Sequence, residues 1–205
     1  MSLALDLSHE PRTGIPHGKL VMWAFLASEI MFFSGFFGAF IVLRQSNIDI
    51  FTHSSHELNW KLAMLNTFFL IGSSFTMALS IMNLEKKDKG KFQLFMGLTI
   101  LCACGFLVVK YFEYSAKFGH MENGHPHPIL PSTNIFFAFY FLMTGFHAMH
   151  VIGGMIPMGW MFFRSFTKKG YHNATRVEVL GLYWHFVDLV WIFLFPALYL
   201  LFPTM

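Results

Sequence analysis

Five long apolar stretches constrain this chain more than any other feature. They run over approximately 19–43, 60–83, 92–116, 134–163 and 177–202, and each reaches the roughly 20 residues a helix needs to cross the hydrocarbon of a bilayer. Backbone polar groups at that depth must pair within their own segment, and nothing here alternates as a membrane barrel strand would, so helices are the assignment that fits. The composition agrees, because 55% hydrophobic and 12% charged residues lie outside the range of an ordinary soluble domain. The predicted fold class is all-α, a polytopic membrane protein. It is a single domain of five transmembrane helices over residues 19–205, preceded by a short tail over 1–18.

The connections 45–59, 85–91, 117–133 and 165–176 leave no room for a second domain. The tail carries Asp6, Glu10, Pro11, Gly14 and Pro16 and lacks the basic start and apolar core of a cleavable signal, so the first helix is expected to be its own insertion signal. Orientation follows from Lys and Arg, since positively charged short loops stay cytoplasmic. Arg12, Lys19, Lys86, Lys87, Lys89, Lys91, Arg164, Lys168, Lys169 and Arg176 fall on one side, against Arg44, Lys61 and Lys117 on the other. That places the N-terminus in the cytoplasm and the C-terminus outside. The net charge of +3 is explained by loops anchoring to anionic headgroups, and no basic stripe points to nucleic acid. Cys102 and Cys104 sit two residues apart on different helix faces and read as packing residues.

Within the apolar background a few ionisable residues stand out, above all in Tyr183-Trp184-His185-Phe186-Val187-Asp188-Leu189-Val190-Trp191. Ionisable groups at membrane depth are rare and usually face a protein interior, a partner or a water-filled path. At about 1.5 Å per residue, Glu29 lies ~15 Å into the first segment, near mid-membrane. His185 and Asp188 in the last segment, and His147 and His150 in the fourth, reach a similar depth. The pairs His147/His150 and His185/Asp188 are each three residues apart and share a helix face, so the pairs could point at each other. On the first segment Ala24, Ala27, Ser28, Gly35, Gly38 and Ala39 recur at helical steps, as where helices approach closely. Glu29 beside this stripe is expected to face a neighbouring helix.

Three chemistries compete for this layer. Two His with one or two carboxylates could hold a metal, and a haem could take axial His ligands, although His-x-x-His alone is a weak signal. Buried Glu and His could pass protons. Alternatively, His147, His150, His185 and Asp188 simply satisfy one another and lock the bundle, which leaves Glu29 with the fewest local partners. Lys110 and Glu113, one turn apart near the outer end of the third segment, read as a partly wet ion pair. His53, His56, His120, His125 and His127 in the outer connections read as loop histidines ahead of an external metal or docking surface. The many Met and Phe residues read as lipid contact and core.

Five stretches resemble subunit III of the haem-copper terminal oxidases. Ser28-Glu29-Ile30-Met31-Phe32-Phe33-Ser34-Gly35-Phe36-Phe37 is similar to the family's helix with the carbodiimide-reactive glutamate. Leu65-Asn66-Thr67 with Gly72-Ser73, Glu113-Tyr114, Thr144-Gly145-Phe146-His147-Ala148-Met149-His150-Val151-Ile152-Gly153-Gly154 and Tyr183 to Trp191 follow in the family's order. Ala148-Met149 replaces the usual Gly-Leu, and the five helices resemble the bacterial form rather than the seven-helix mitochondrial one. The resemblance implies a subunit that binds no cofactor itself, with haem and copper in partner subunits and a structural phospholipid at its surface. It implies docking to catalytic subunit I beside subunit II in the bacterial cytoplasmic (inner) membrane, and it leaves a small subunit IV and a respiratory supercomplex as open partners. Its implied role is to support proton uptake and stability of subunit I. Glu29, Glu113, His147, His150, His185 and Asp188 match family motif positions. The electron donor, cytochrome c or quinol, is not readable here, and the resemblance leans to cytochrome c. A nitric oxide reductase-associated homologue is the near alternative. A small proton-coupled transporter is the distant one, but no inverted repeat or mid-membrane break marks it.

Overall fold

The computed structural model describes residues 17–119, 121–122, 125–126, 129–167 and 173–200. Five helices long and apolar enough to span a membrane are present. They are α1 (His17–Ser46), α3 (Trp60–Glu85), α4 (Lys89–Phe118), α5 (Ile135–Ser165) and α6 (Ala174–Phe195), the last continued by a π-helical turn over Pro196–Leu200. The predicted spans are correct, and each helix runs a few residues beyond its apolar stretch at one or both ends. Residues 1–16, including Arg12, lie outside the described residues, as do Lys168, Lys169, His120 and His127.

One element was not expected. Residues 48–56 of the first connection form a short helix, α2 (Ile48–His56). It buries Phe51 against Phe40 and Phe136 at ring-centroid distances of 5.3 and 5.5 Å, so tertiary contact makes a helix of a segment that reads as a polar loop. His53 and His56 are exposed on it. A two-residue ladder, β1 (Met121–Glu122) with β2 (His125–Pro126), interrupts the long connection before α5.

Asn or Asp starts each of the helices α3, α4, α5 and α6. Asn59, Asp88, Asn134 and Asn173 each accept backbone N–H bonds of the first turn, worth about 1 kcal/mol apiece. Asp88 accepts from the Lys91 N–H at 3.1 Å, and this bond holds its carboxyl below the usual range. After α3, Lys87 turns the chain with φ 59°. The bonds Lys87 N–H to Leu84 O and Asp88 N–H to Asn83 O close the helix end as a Schellman motif.

The bundle interior follows a heptad rule. On α3 the buried residues are Ala63, Asn66, Leu70, Ser73, Met77, Ser80 and Leu84, spaced alternately by three and four. The same spacing runs through Phe92, Met96, Thr99, Ala103, Phe106, Lys110, Glu113 and Lys117 on α4. It continues through Tyr140, Thr144, His147, Val151, Gly154, Met158, Met161 and Ser165 on α5. This is the seam of helices packed with a left-handed supercoil. Close approach occurs at two glycines: a Cβ on Gly154 would meet Trp184 and Tyr183 at 2.9 Å, and one on Gly181 would meet Ile81 at 2.6 Å.

The small-residue stripe of α1 does not do what its spacing predicts. Ala24, Ala27, Ser28, Gly35 and Ala39 are exposed, and Gly35 and Gly38 have nothing within 4 Å of a Cβ position. α1 touches the bundle through large residues instead, with Leu26, Phe33 and Phe40 buried at seven-residue intervals, and a space is left between it and α6. The space so formed is an apolar groove of about 760 Å³ lined by residues such as Phe33, Phe37, Gly38, Phe186 and Phe193. Of the two cysteines, Cys102 is half-buried and Cys104 exposed, and both are free.

Candidate functional site

The five mid-membrane residues do not form one network. They divide into three separate arrangements.

The first joins α1 to α5. Glu29 Oε2 lies 3.0 Å from His150 Nε2, so Glu29 faces a neighbouring helix as expected and its partner is His150. The other ring nitrogen, Nδ1, lies 2.8 Å from the Phe146 carbonyl. A carbonyl only accepts, so Nδ1 carries a hydrogen, and a neutral imidazole must then accept at Nε2. The Glu29–His150 bond therefore needs one proton, held either by the carboxyl or by Nε2. The pair has one transferable proton between two oxygens and a nitrogen. Tyr183 braces it by donating to the His150 carbonyl at 2.9 Å, in the space left by Gly153 and Gly154. Phe33 packs edge-on against the imidazole at 5.4 Å. The side chains of His150 and Glu29 keep 18% and 17% of their exposure, so the pair sits at the edge of the bundle and not in its centre.

The second lies between α3 and α6. His185 Nδ1 is hydrogen-bonded to the Ser74 hydroxyl, not to Asp188, which corrects the expected pairing. Asp188 is buried, and neither carboxylate oxygen has a hydrogen-bond partner among the described residues. A three-residue spacing puts His185 and Asp188 on one face, but an adjacent serine reaches the ring first.

The third is His147 alone. It is fully buried, and among the described residues neither of its nitrogens has a hydrogen-bond partner. Phe106 and Trp191 flank it at 5.5 and 5.2 Å. Among the described residues it has no hydrogen bond to His150, so the alternative in which His147, His150, His185 and Asp188 satisfy one another fails. Among the described residues no group of three or more His, Cys, Asp and Glu is placed to hold a metal ion.

At the α2 end of the bundle lies a further cluster that sequence reading recognised only in part. Lys110 and Glu113 do pair, at 2.9 Å, but their side chains keep only 5% and 3% exposure, so the pair is buried and not partly wet. Lys110 also donates to Tyr199 at 2.9 Å. Tyr199 and Tyr140 donate to Glu113 Oε1 at 2.6 and 3.0 Å. Lys110 Nζ lies 5.0 Å from the Trp191 ring centre. Lys117, read as a loop charge, is buried too and donates to the Glu57 carbonyl at 3.0 Å. The reason is geometric: the π-helical turn after Pro196 swings Tyr199 back over α4 and α5, closing a lid that no local pattern announces. Ser74, Tyr140 and Tyr199 were missed, although Tyr199 three residues after Pro196 was the available hint.

At the opposite end Lys19 and Glu178 join α1 to α6 by a half-exposed ion pair. Trp184 donates to Ser73 at 2.9 Å and Trp191 to Thr67 at 3.0 Å, so both conserve their N–H groups within the α3–α6 interface.

Comparison with known proteins gives the arrangement its context. The family model described as Cytochrome c oxidase subunit III matches residues 9–202. Cytochrome c oxidase subunit 3 of Bacillus subtilis is 33% identical over 89% of this chain and 85% of its own length. The protein of that name from Corynebacterium diphtheriae is 34% identical over 85% and 83%, and that from Synechocystis 33% over 98% and 86%. With a family match over nearly the whole chain and relatives covered over more than four-fifths of their length, this membrane protein belongs to the cytochrome c oxidase subunit III family, and is thus a haem-copper oxidase subunit that associates with other oxidase subunits.

Proposed function

We propose that this chain is subunit III of a proton-pumping haem-copper oxidase, contributes no redox centre, and sustains proton uptake by catalytic subunit I and its durability in turnover. The single observation that carries this reading is the Glu29–His150 pair, its carboxyl oxygen and ring nitrogen 3.0 Å apart at the bundle edge. The Nδ1–H bond to Phe146 pins the ring so that only Nε2 exchanges a proton with Glu29. A pair at the edge can relay or buffer protons for a neighbouring subunit, whereas a pair at the centre could serve only this chain.

The same reading places the chain in the bacterial inner membrane with its N-terminus cytoplasmic, on the loop charges given above, beside subunits I and II. The α1–α6 groove, apolar along its length, fits the acyl chain of a structural phospholipid. Cytochrome c is the electron donor we favour, on the names of the relatives. The test is Glu29→Gln in the assembled oxidase: haem content and subunit composition stay normal, while the number of turnovers before inactivation falls several-fold. Unchanged durability and proton uptake would sink the proposed role.

A further inference from the structure

The two polar arrangements at the bundle edge differ in how completely they are closed. Both nitrogens of His150 are used, one by Phe146 and one by Glu29. His185 uses Nδ1 on Ser74; the residue is half-buried at the bundle edge, and its Nε2 has no hydrogen-bond partner among the described residues. His185 lies close to the middle of the 27-residue span Ala174–Leu200. An imidazole nitrogen left unpaired at that depth is costly, because the surrounding hydrocarbon offers it nothing to bond.

The surroundings of Nε2 are shaped as a docking seam. Ile71 lies one turn before Ser74 on α3 and Ile192 one turn after Asp188 on α6, exposed by 49% and 47%. Phe75 beside Ser74 is exposed by 66%. Ser74 itself is small, so a neighbouring helix can come close to the ring between these lips. We propose that this outer α3–α6 seam, centred on His185, receives a membrane-spanning helix of a partner oxidase subunit that presents a hydrogen-bonding side chain at mid-membrane depth.

Two facts select a helix over lipid and this seam over the α1–α5 edge. A partner side chain can satisfy Nε2 and an acyl chain cannot, and membership of the subunit III family brings other oxidase subunits alongside. The α1–α5 edge has no nitrogen left to offer. The proposal rests on the oxidase reading above, and its test separates the two. A photo-reactive benzoylphenylalanine is placed at Ile71 or Ile192 in the oxidase as purified from its own membranes. Controls are placed at Leu101 on α4 and Ile156 on α5, exposed by 66% and 69%. The seam positions are expected to capture another oxidase subunit several-fold more than the controls. In a parallel measurement, His185→Leu is expected to reduce retention of the chain in the complex through a detergent wash by about five-fold, with His185→Gln retained, as one membrane hydrogen bond requires. Lipid adducts alone at 71 and 192, with a control position capturing a subunit, would overturn the seam. Wild-type retention of His185→Leu would overturn the hydrogen bond at its centre. An unsubstituted chain that purifies without any haem-bearing subunit would remove the oxidase reading, and the seam with it.

Discussion

The α2 end and the middle of the bundle use the same residue types to opposite effect. At the α2 end Lys110, Glu113, Tyr140 and Tyr199 are all buried, and every one of them bonds to another. In the middle, Glu29–His150 and Ser74–His185 lie at the bundle edge, the second with one ring nitrogen unpaired, and among the described residues Asp188 and His147 have no hydrogen bonds. A saturated cluster in a low-dielectric interior resists change, because removing one member strands a charge. An unsaturated one keeps capacity for a proton or a partner. The comparison teaches that ionisable residues in a membrane chain are sorted by closure and position as much as by depth.

The largest effect should come from breaking the closed cluster. Lys110→Met leaves Glu113 buried without its cation and should cost about 3 kcal/mol or more in detergent unfolding. The double variant Lys110→Met/Glu113→Gln should recover much of that loss. A single variant as stable as wild type would erase the contrast between the two regions. Next, Gly154→Val should cost about 1–3 kcal/mol, because its side chain must enter space held by Trp184 and Tyr183. Circular dichroism melting would report it, together with loss of the Tyr183 brace on His150.

In the open region stability should move less. His147→Phe replaces an imidazole whose nitrogens are both unpartnered and should lie within about 1 kcal/mol of wild type or above it. A clear loss would reveal a bond to His147 that matters. Asp188→Asn belongs to the same class. The expectation that Asp188 supports His185 is replaced by one in which the isolated chain tolerates the change. The smallest effect is expected at the α4 cap. The Asp88 carboxyl is held below its ordinary value by the Lys91 N–H, so its stabilisation is present above the unfolded carboxyl pKa and is lost as pH falls through the lower folded one. Asp88→Ala should therefore lower Tm slightly near neutral pH and leave it unchanged under strongly acid conditions.

Much of the fold is legible because hydropathy and length suffice to locate a transmembrane helix, whatever it packs against. The pairing of Lys110 with Glu113 was legible for the same reason: a three-residue step on a helix is a local fact. Glu29 with His150, and His185 with Ser74, were not, since each joins helices far apart in sequence and depends on rotation about the helix axis. The stripe on α1 failed on that point, because small residues permit close approach without saying that a neighbour is there.

By itself the sequence determined the five spans and the family. Tertiary structure alone decided which face of each helix points inward. In water an apolar stripe marks the interior, but in a bilayer both faces of a helix are apolar and the stripe vanishes. The interior is then marked by the seven-residue recurrence of polar residues such as Asn66, Ser73 and Ser80 on α3, a pattern that acquires meaning only when the neighbouring helices are in place. Closure of Tyr199 over Lys110 and Glu113, and the opening left at His185, follow from that packing and from nothing local.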